Sequence, residues 1–453
     1  MNTALTSQRA LRLPRLTRSY AAAAKTHHKI LVIGGGSGGL NVANQLYNRF
    51  KAEGKKLDDG DVAIVDAAEW HNYQPGWTLV GAGLKQKNQL RRRLVDLIPS
   101  HIALVPAAVA SFSPDANSVT LSSGEVVTYE SLVVAAGLQI NWENIKGLSP
   151  ALADNSSGVS SIYSYETCDK TWGDIEAFRG GKAIFTQPAG VIKCAGAPQK
   201  IMWMAWDRWR RTKRGEAADV EFVTGMPTMF SVKKYSDALN ALRLQRGVGA
   251  LFEHNLVEVD HHARVAKFKK PDGALVEKDY TLLHVTPPQG PLDFIKSSPL
   301  ADGVGWVDVD PGTLRHKKYA NVWSLGDCSS LPTSKTAAAI TAQTPVLVDN
   351  FYRVAETGEI GTARYDGYTS CPLLTGYGQL MLAEFVYGAV PKETFGALLG
   401  IDQSKPRWAF YHLKNEFFPW VYFNSMVNGT WFGPKRWNVP EFPKVAAEPA
   451  AKA

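Results

Sequence analysis

The stretch KILVIGGGSGGLNVANQLYNRF, residues 29–50, limits the fold of this chain more than any other. A short apolar run meets Gly34, Gly36 and Gly39 in a GxGxxG pattern. It leaves as a helix whose Leu40, Val42, Ala43, Leu46 and Tyr47 share one side. A second apolar run, DVAIVDAAEW, then ends on Asp66, 27 residues beyond Gly39. Glycines at that spacing allow a tight turn and a close backbone approach to a pyrophosphate held at a helix N-terminus, with Ser37 and Gly38 in the same loop. An acid at the end of the next strand accepts from a ribose hydroxyl. A βαβ dinucleotide-binding unit follows from strand, loop, helix and acid taken together.

Two later segments favour FAD over NAD in that unit. LVVAAGLQI ends a strand on Ala136 and Gly137, and NVWSLGDCSSLPTSKTAAAI ends another on Gly326 and Asp327. An aspartate there bonds a ribityl chain, and Thr333 or Ser334 can cap the helix that follows. That helix N-terminus, aided by Lys335, favours negative charge on a reduced ring.

A second strand–helix–strand module runs from GKAIFTQ through APQKIMWMAWDRWRRTKRG to DVEFVTG, followed by the helical SVKKYSDALNALRLQRG and the strand ALFEHNLVEV. Its first loop, PAGVIKCAGAP, has no glycine triplet to cradle a second pyrophosphate, which argues against NAD(P)H as donor. Cys194 stands there instead. Pro198 suits the first turn of a helix starting just after it, and a thiol at a helix N-terminus beside Lys193 has its thiolate favoured.

The chain has 4 cysteines, Cys168, Cys194, Cys328 and Cys371, without regular spacing. Neither a disulfide framework nor a metal site is expected, and any working pair must be brought together by the fold. The first residues carry Arg9, Arg12, Arg15 and Arg18 among Ser and Thr, with no acid before Glu53. This is the composition of a mitochondrial presequence over 1–27, the competing reading being a basic arm for nucleic acid. Cleavage near residue 27 lowers the net charge from +8 to +3, so the basic balance says little about partners. No apolar run is long enough to span a bilayer.

With these features in hand, the chain resembles the flavoprotein disulfide reductases, in which an FAD fold is interrupted by a second nucleotide fold. HNYQPGWTLVGAG, KCAGAPQK, LHVTPP, GWVDVD, GDCSSLPTSKTAAA and YDGYTSCPLLTGYG, in that order, look like the mitochondrial branch of the sulfide:quinone oxidoreductases. The resemblance implies an α/β fold with two Rossmann-like domains and a C-terminal amphipathic segment that associates with membrane. The expected divisions are an FAD domain over 28–160 and 286–370, the second Rossmann-like domain over 161–285, a quinone and membrane-interface region over 371–440 and a disordered tail over 441–453. It adds Gln74 to the cofactor contacts and names Cys194 and Cys371 as the redox pair beside the flavin. Cys168 and Cys328 are read as packing residues.

The resemblance further implies a reaction. Sulfide attacks the Cys194–Cys371 disulfide at Cys371 and leaves a persulfide there, and the freed Cys194 thiolate passes electrons to FAD and so to ubiquinone. A small acceptor such as glutathione, sulfite or a second sulfide takes the sulfur. The place implied is the matrix face of the mitochondrial inner membrane, with a second copy of the chain as a further partner and no nucleic acid. Trp408, Phe410, Tyr411, Leu413, Phe417, Phe418, Trp420, Val421 and Phe423, interleaved with Lys405, Arg407 and Lys414, suit interfacial helices, and Pro419 is expected to divide them into two. Phe385, Phe418, Tyr422 and Phe423 are the expected quinone contacts. Two other readings compete: a type II NADH:quinone dehydrogenase, which needs a glycine-rich second loop, and a flavin-containing sensor without turnover.

Overall fold

The computed structural model describes residues 25–443. The strand His27–Ile33 lies between two parallel neighbours, Val62–Val65 and Val126–Val134. Ile102–Val105 extends the sheet on one side, and the hairpin Val109–Ser113 with Ser118–Leu121 edges it on the other. The central strands read as near-continuous Val, Ile and Leu because both faces are covered. Leu31, Val32, Leu132 and Val133 are all fully buried. Helix Ser37–Ala52 lies in this layer, packed against the long helix Ala337–Thr357.

Val322–Ser324 joins the same sheet beside Leu132–Val134, although nearly two hundred residues of chain intervene. Much of that intervening chain builds a second parallel sheet from Val159–Ser160, Gly181–Gln187, Ala218–Thr224, Gly249–Leu251 and Leu282–His284. Helices Ala197–Arg211 and Lys233–Gln245 belong to it, with a three-stranded antiparallel sheet from Asn255 to Asp279 beside it. One dinucleotide-type sheet is thus interrupted by another. The hairpin Thr369–Gly376 and Gln379–Val386 packs across the Ala197–Arg211 helix and so reaches the second unit.

Four local expectations change. ALFEHNLVEV forms two strands, Gly249–Leu251 and Asn255–Asp260, separated at Glu253 by a left-handed φ of 59°. The helix after the Gly326 turn is capped by Thr336, whose hydroxyl accepts from the Ala339 amide, and not by Thr333 or Ser334. Pro419 does not divide the C-terminal helices. From Trp408 to Met426 the backbone stays helical, alternating α-turns with π-turns at Leu413–Phe417 and Tyr422–Met426. A π-turn widens the helix just where a proline ring would crowd the preceding carbonyls. Finally, Phe442 packs against the first core, although the tail from 441 was expected to be disordered.

The basic leader lies outside the described residues except for 25–27, where His27 already opens the first strand. The tail beyond 443 is also outside them. Among the described residues no helix is long and apolar enough to cross a membrane.

Candidate functional site

A cavity of about 790 Å3 opens between the two units and the C-terminal helices. Its wall runs from Gly34–Gly38 past Trp77 and Cys194 to the Ala337 helix and on to Leu413 and Phe418.

The glycine loop is shaped for a phosphate. A Cβ on Gly39 would fall 1.7 Å from the Gly34 carbonyl oxygen, so the helix can approach its strand only without a side chain there. Gly34 has φ 101°, which only glycine adopts freely. A Cβ on Gly36 would meet no protein atom within 4 Å, so the space over that turn faces the cavity. The helix Ser37–Ala52 has no side-chain cap and no acid in its first turn, which leaves its leading amides for an anion. Asp66 accepts from the Gly35 amide at 2.6 Å and the Ala68 amide at 2.7 Å, fixing its carboxylate at the cavity edge.

At the other end, Ala136, Gly137, Gly326, Asp327 and Lys335 line the same cavity. Burial raises the Asp327 carboxyl against the pull of Lys335 and Lys193. Lys335 gives its ammonium to the Asp327 and Ser329 carbonyls at 2.5 and 3.1 Å and lies 3.9 Å from the Trp306 ring centroid, so it braces the Gly326–Asp327 turn. The wall also carries Asn72, Trp77 and Tyr163, each with a buried polar side-chain atom that has no protein partner. Cradle, buried acid and orphaned polar atoms together fit a flavin dinucleotide.

Cys194 and Cys371 meet in the middle of the wall, with sulfurs 3.5 Å apart. Cys194 stands in the left-handed region at φ 53°, which costs a non-glycine residue roughly 1–2 kcal/mol. Its amide donates to the Lys335 carbonyl and its carbonyl accepts from Ala197, both at 2.7 Å, and these two bonds hold the strained position. Helix Ala197–Arg211 starts three residues later with Pro198 in its first turn. Cys371 comes from the opposite side on the Thr369–Gly376 strand. Gly196 lets the two approach, since a Cβ there would lie 2.6 Å from the Cys371 sulfur.

The cation that serves Cys194 is not the neighbouring Lys193. Lys193 donates to Gln74 Oε1 at 2.7 Å, and burial pushes its ammonium down to about 8. Lys200, one turn into the helix, donates to the Cys194 sulfur at 3.0 Å and is 2% exposed. The Cys371 hydrogen bond and the Lys200 charge hold the Cys194 thiol well below its ordinary range, while the same contact and burial push Cys371 well above it. Lys414 is also turned inward and not to a membrane surface. Its ammonium donates to the Pro75 carbonyl at 2.6 Å, and burial, with Lys200 nearby, lowers it to about 7. A lysine inside the apolar helix QKIMWMAW was the signal for Lys200. Lys414, read only as one cation among aromatics, gave none.

Of the expected quinone contacts, Phe418 and Tyr422 line the cavity and the other two do not. Phe385 is turned away into the second core against Phe230, with centroids 5.9 Å apart. Phe423 packs on Tyr73 and Tyr422 under the Arg92 guanidinium. Tyr422 also bonds the cofactor loop: its hydroxyl lies 2.6 Å from Ser37 Oγ and 2.7 Å from Nε2 of the buried His71. Cys168 and Cys328 are enclosed, and burial raises both thiols, Cys168 to about 12.

Comparison with known proteins identifies the family. Residues 28–344 match the pyridine nucleotide-disulphide oxidoreductase family. The mitochondrial sulfide:quinone oxidoreductase of Schizosaccharomyces pombe is 50% identical over 434 residues, covering 93% of this chain and 94% of that protein. The mitochondrial enzyme of that name from Mus musculus is 44% identical over 91% of this chain and 89% of its own length. Among solved structures, the sulfide:quinone oxidoreductase of Aquifex aeolicus superposes with a TM-score of 0.68 at 15% identity, over 88% of this chain and 92% of that one. The NDH2 of Plasmodium falciparum in complex with NADH gives 0.61 at 12% identity, over 90% and 99%. These two likenesses speak to fold alone.

Proposed function

The chain belongs to the mitochondrial sulfide:quinone oxidoreductases, within the pyridine nucleotide-disulphide oxidoreductase family, and we propose from that premise that it oxidises hydrogen sulfide through Cys194 and Cys371 and delivers the electron pair to ubiquinone. The observation that carries this reading is the sulfur pair itself, 3.5 Å apart, with Lys200 donating to Cys194. The cavity fits FAD, which Gly34, Gly36, Ser37, Gly38, Gly39 and Asp66 would hold at pyrophosphate and ribose and Gln74, Ala136, Gly137, Gly326, Asp327 and Lys335 along the rest. When bound, it accepts two electrons from the sulfurs and releases them to the quinone.

The two cysteines divide the sulfur chemistry by their unequal surroundings. In a disulfide the sulfur with the lower thiol pKa leaves faster. Cys194 is that sulfur, so hydrosulfide attacks Cys371. The Cys194–Cys371 bond breaks, a bond from Cys371 to the incoming sulfur forms, and Cys194 departs as a thiolate paired with Lys200. A nucleophilic acceptor such as glutathione, sulfite or a second sulfide then takes the outer sulfur and frees Cys371 as a thiolate. The pair recloses as it gives up two electrons. Lys200, held ionised beside Cys194, keeps this part of the cavity positive, which favours anionic sulfide and acceptors.

Phe417, Phe418, Val421 and Tyr422 offer an apolar slot for the quinone, and Trp408, Trp420 and Trp437, exposed at 69, 53 and 49%, face outward. With Lys405, Arg407, Lys435 and Arg436 beside them they suit a membrane interface without a spanning helix, which supports a reading of the enzyme as peripheral on the mitochondrial inner membrane.

An NADH dehydrogenase is less well served, since the loop after Gly181–Gln187 holds Cys194 where a glycine cradle would stand. Cys194→Ser and Cys371→Ser each keep bound flavin but lose its reduction by sulfide. Turnover retained in either variant contradicts the reading. Mass spectrometry of the trapped intermediate places the extra sulfur on Cys371, and finding it on Cys194 reverses the assigned order of attack.

A further inference from the structure

One ionisable group on the cavity wall has no part in the sulfur chemistry. Glu384 lies in the strand Gln379–Val386, opposite Ser370 and beside the register pair of Cys371 and Ala383. It is 4% exposed, lines the cavity, and has no lysine or arginine paired with it among the described residues. A carboxyl in such a place costs several kcal/mol unless its oxygens are bonded. Here they are. Tyr368 donates its hydroxyl to Oε1 at 2.5 Å, Thr394 its hydroxyl to Oε1 at 2.9 Å and its amide to Oε2 at 2.8 Å, and Gln403 its amide nitrogen to Oε2 at 2.8 Å.

The arrangement links the cavity to water. Tyr368 lines the same cavity, and Thr394, at the start of the short Thr394–Leu399 helix, is only half-buried. Other titratable groups packed around the carboxyl are occupied elsewhere. Tyr235, from the helix Lys233–Gln245, gives its hydroxyl to Glu393 Oε1 at 2.9 Å and touches only the Glu384 backbone, while Glu393 is paired with Lys234 at 2.7 Å. Lys392 is engaged by Asp366. Between outside and cavity the chain of proton-carrying groups is Thr394 hydroxyl, Glu384 carboxyl, Tyr368 hydroxyl.

A quinone that takes an electron pair must also take two protons; in the slot Phe417, Phe418 and Val421 carry none, the Tyr422 hydroxyl is shared with Ser37 and His71, and the Lys414 ammonium is engaged by the Pro75 carbonyl. We propose that Tyr368 and Glu384 deliver a proton to the quinone, Tyr368 as the group that touches it and Glu384 as the positioning residue that resupplies Tyr368. This rests on the quinone-reducing function proposed above. In the step, the Tyr368 O–H bond breaks as an O–H bond forms on a quinone oxygen. The electron pair is the one the cysteines have released. A proton loaded onto Glu384 from water moves to the Tyr368 oxygen, and the carboxylate is reloaded through Thr394. This route supplies one of the two protons; the hydroquinone anion so formed takes its second proton from water as it leaves, and no further redox partner is needed.

The test separates the two halves of the reaction in the flavin-loaded enzyme. The protein is first reduced with sulfide without oxygen, then mixed with a short-chain ubiquinone across a range of pH while flavin reoxidation is followed. For Glu384→Gln and Tyr368→Phe the expected result is reduction by sulfide within about twofold of the parent and reoxidation by quinone slowed about 100-fold or more, the scale of a lost proton donor. The pH dependence and the solvent deuterium effect of reoxidation should also be lost, and Glu384→Asp should restore part of both. If Glu384→Gln fails to fold, Tyr368→Phe, which removes a single hydroxyl, carries the test. Reoxidation at the parent rate in both variants overturns the proposal. So does slower reoxidation with an unchanged pH profile, which is what a purely structural role of the carboxyl would give. A parent enzyme that quinone does not reoxidise defeats the underlying function instead, and this proposal with it.

Discussion

Lys200 Nζ stands 3.0 Å from the Cys194 sulfur, enclosed, and the Cys194 thiol is held down while that of Cys371 is pushed up. This asymmetry decides which sulfur leaves and which is attacked. Burial alone would lower Lys200, but the Cys194 thiolate and the contact with Cys371 outweigh it and raise the ammonium. Each member of the pair thus holds the other ionised.

Replacing Lys200 by Met should move the Cys194 thiol upward, because its thiolate loses a charge-assisted bond of the kind worth roughly 1.5–3 kcal/mol. A thiol whose folded pKa is depressed is reactive above that pKa and silent below it, so the loss shows at low pH. Alkylation of the reduced protein by iodoacetamide near pH 6.5 should fall about 10- to 100-fold. An unshifted pH profile of alkylation would show that Cys371 alone sets the Cys194 thiolate.

Gly196→Ala tests the approach of the two sulfurs. The new Cβ would lie 2.6 Å from the Cys371 sulfur and 2.3 Å from Leu373 Cδ2, so the Thr369–Gly376 strand must retreat. The disulfide needs about 2.05 Å between sulfurs. The variant should fold and keep its flavin while thiol counting after mild oxidation finds both cysteines free; quantitative closure contradicts the tight fit described above.

Lys414 gives a pH-dependent stability. Its folded value of about 7 lies below the ordinary lysine value, so the unfolded chain binds the proton more tightly. The cost of keeping the ammonium buried is complete below pH 7 and shrinks as pH rises toward the unfolded value. Lys414→Met should raise stability by on the order of a few kcal/mol at pH 6, and by progressively less at pH 8 and 9. Thermal melts showing a gain that grows with pH would contradict the burial of this charge.

The outward tryptophans make the membrane claim testable. Trp408→Ala with Trp420→Ala should reduce co-sedimentation with vesicles containing anionic lipid by about tenfold without altering the melting temperature, because neither ring is part of the core. Unchanged vesicle binding would move the interface elsewhere.

The parts of the fold that rest on backbone geometry were legible in the sequence. Gly34, Gly36, Gly39 and Asp66 announce their loop because the turn at Gly34 and the 1.7 Å approach at Gly39 exclude a side chain, Gly36 leaves its backbone open to the cavity, and Asp66 ends the next strand. Cys194 announces its helix because Pro198 follows at the right distance. What escaped was set by tertiary contact. Lys414 looks like an ordinary surface cation until the C-terminal helices turn it inward, and Lys200 stands out only as a lysine within an apolar helix until the hairpin encloses it. Phe385 carries the right chemistry for a quinone, but strand alternation turns it to Phe230 and gives the neighbouring cavity face to Glu384. Pro419 is a helix breaker by propensity, and the π-turns that absorb it are not written in any local pattern.

The most direct measurement is an anaerobic titration of the quinone-free, flavin-loaded protein with sulfide and, separately, with NADH, following flavin absorbance. Electrons that come through Cys194 and Cys371 bleach the flavin with sulfide alone, with NADH inert because the second unit has no phosphate cradle. Bleaching by NADH and not by sulfide would contradict the account, since the loop that presents Cys194 would then be serving a nucleotide.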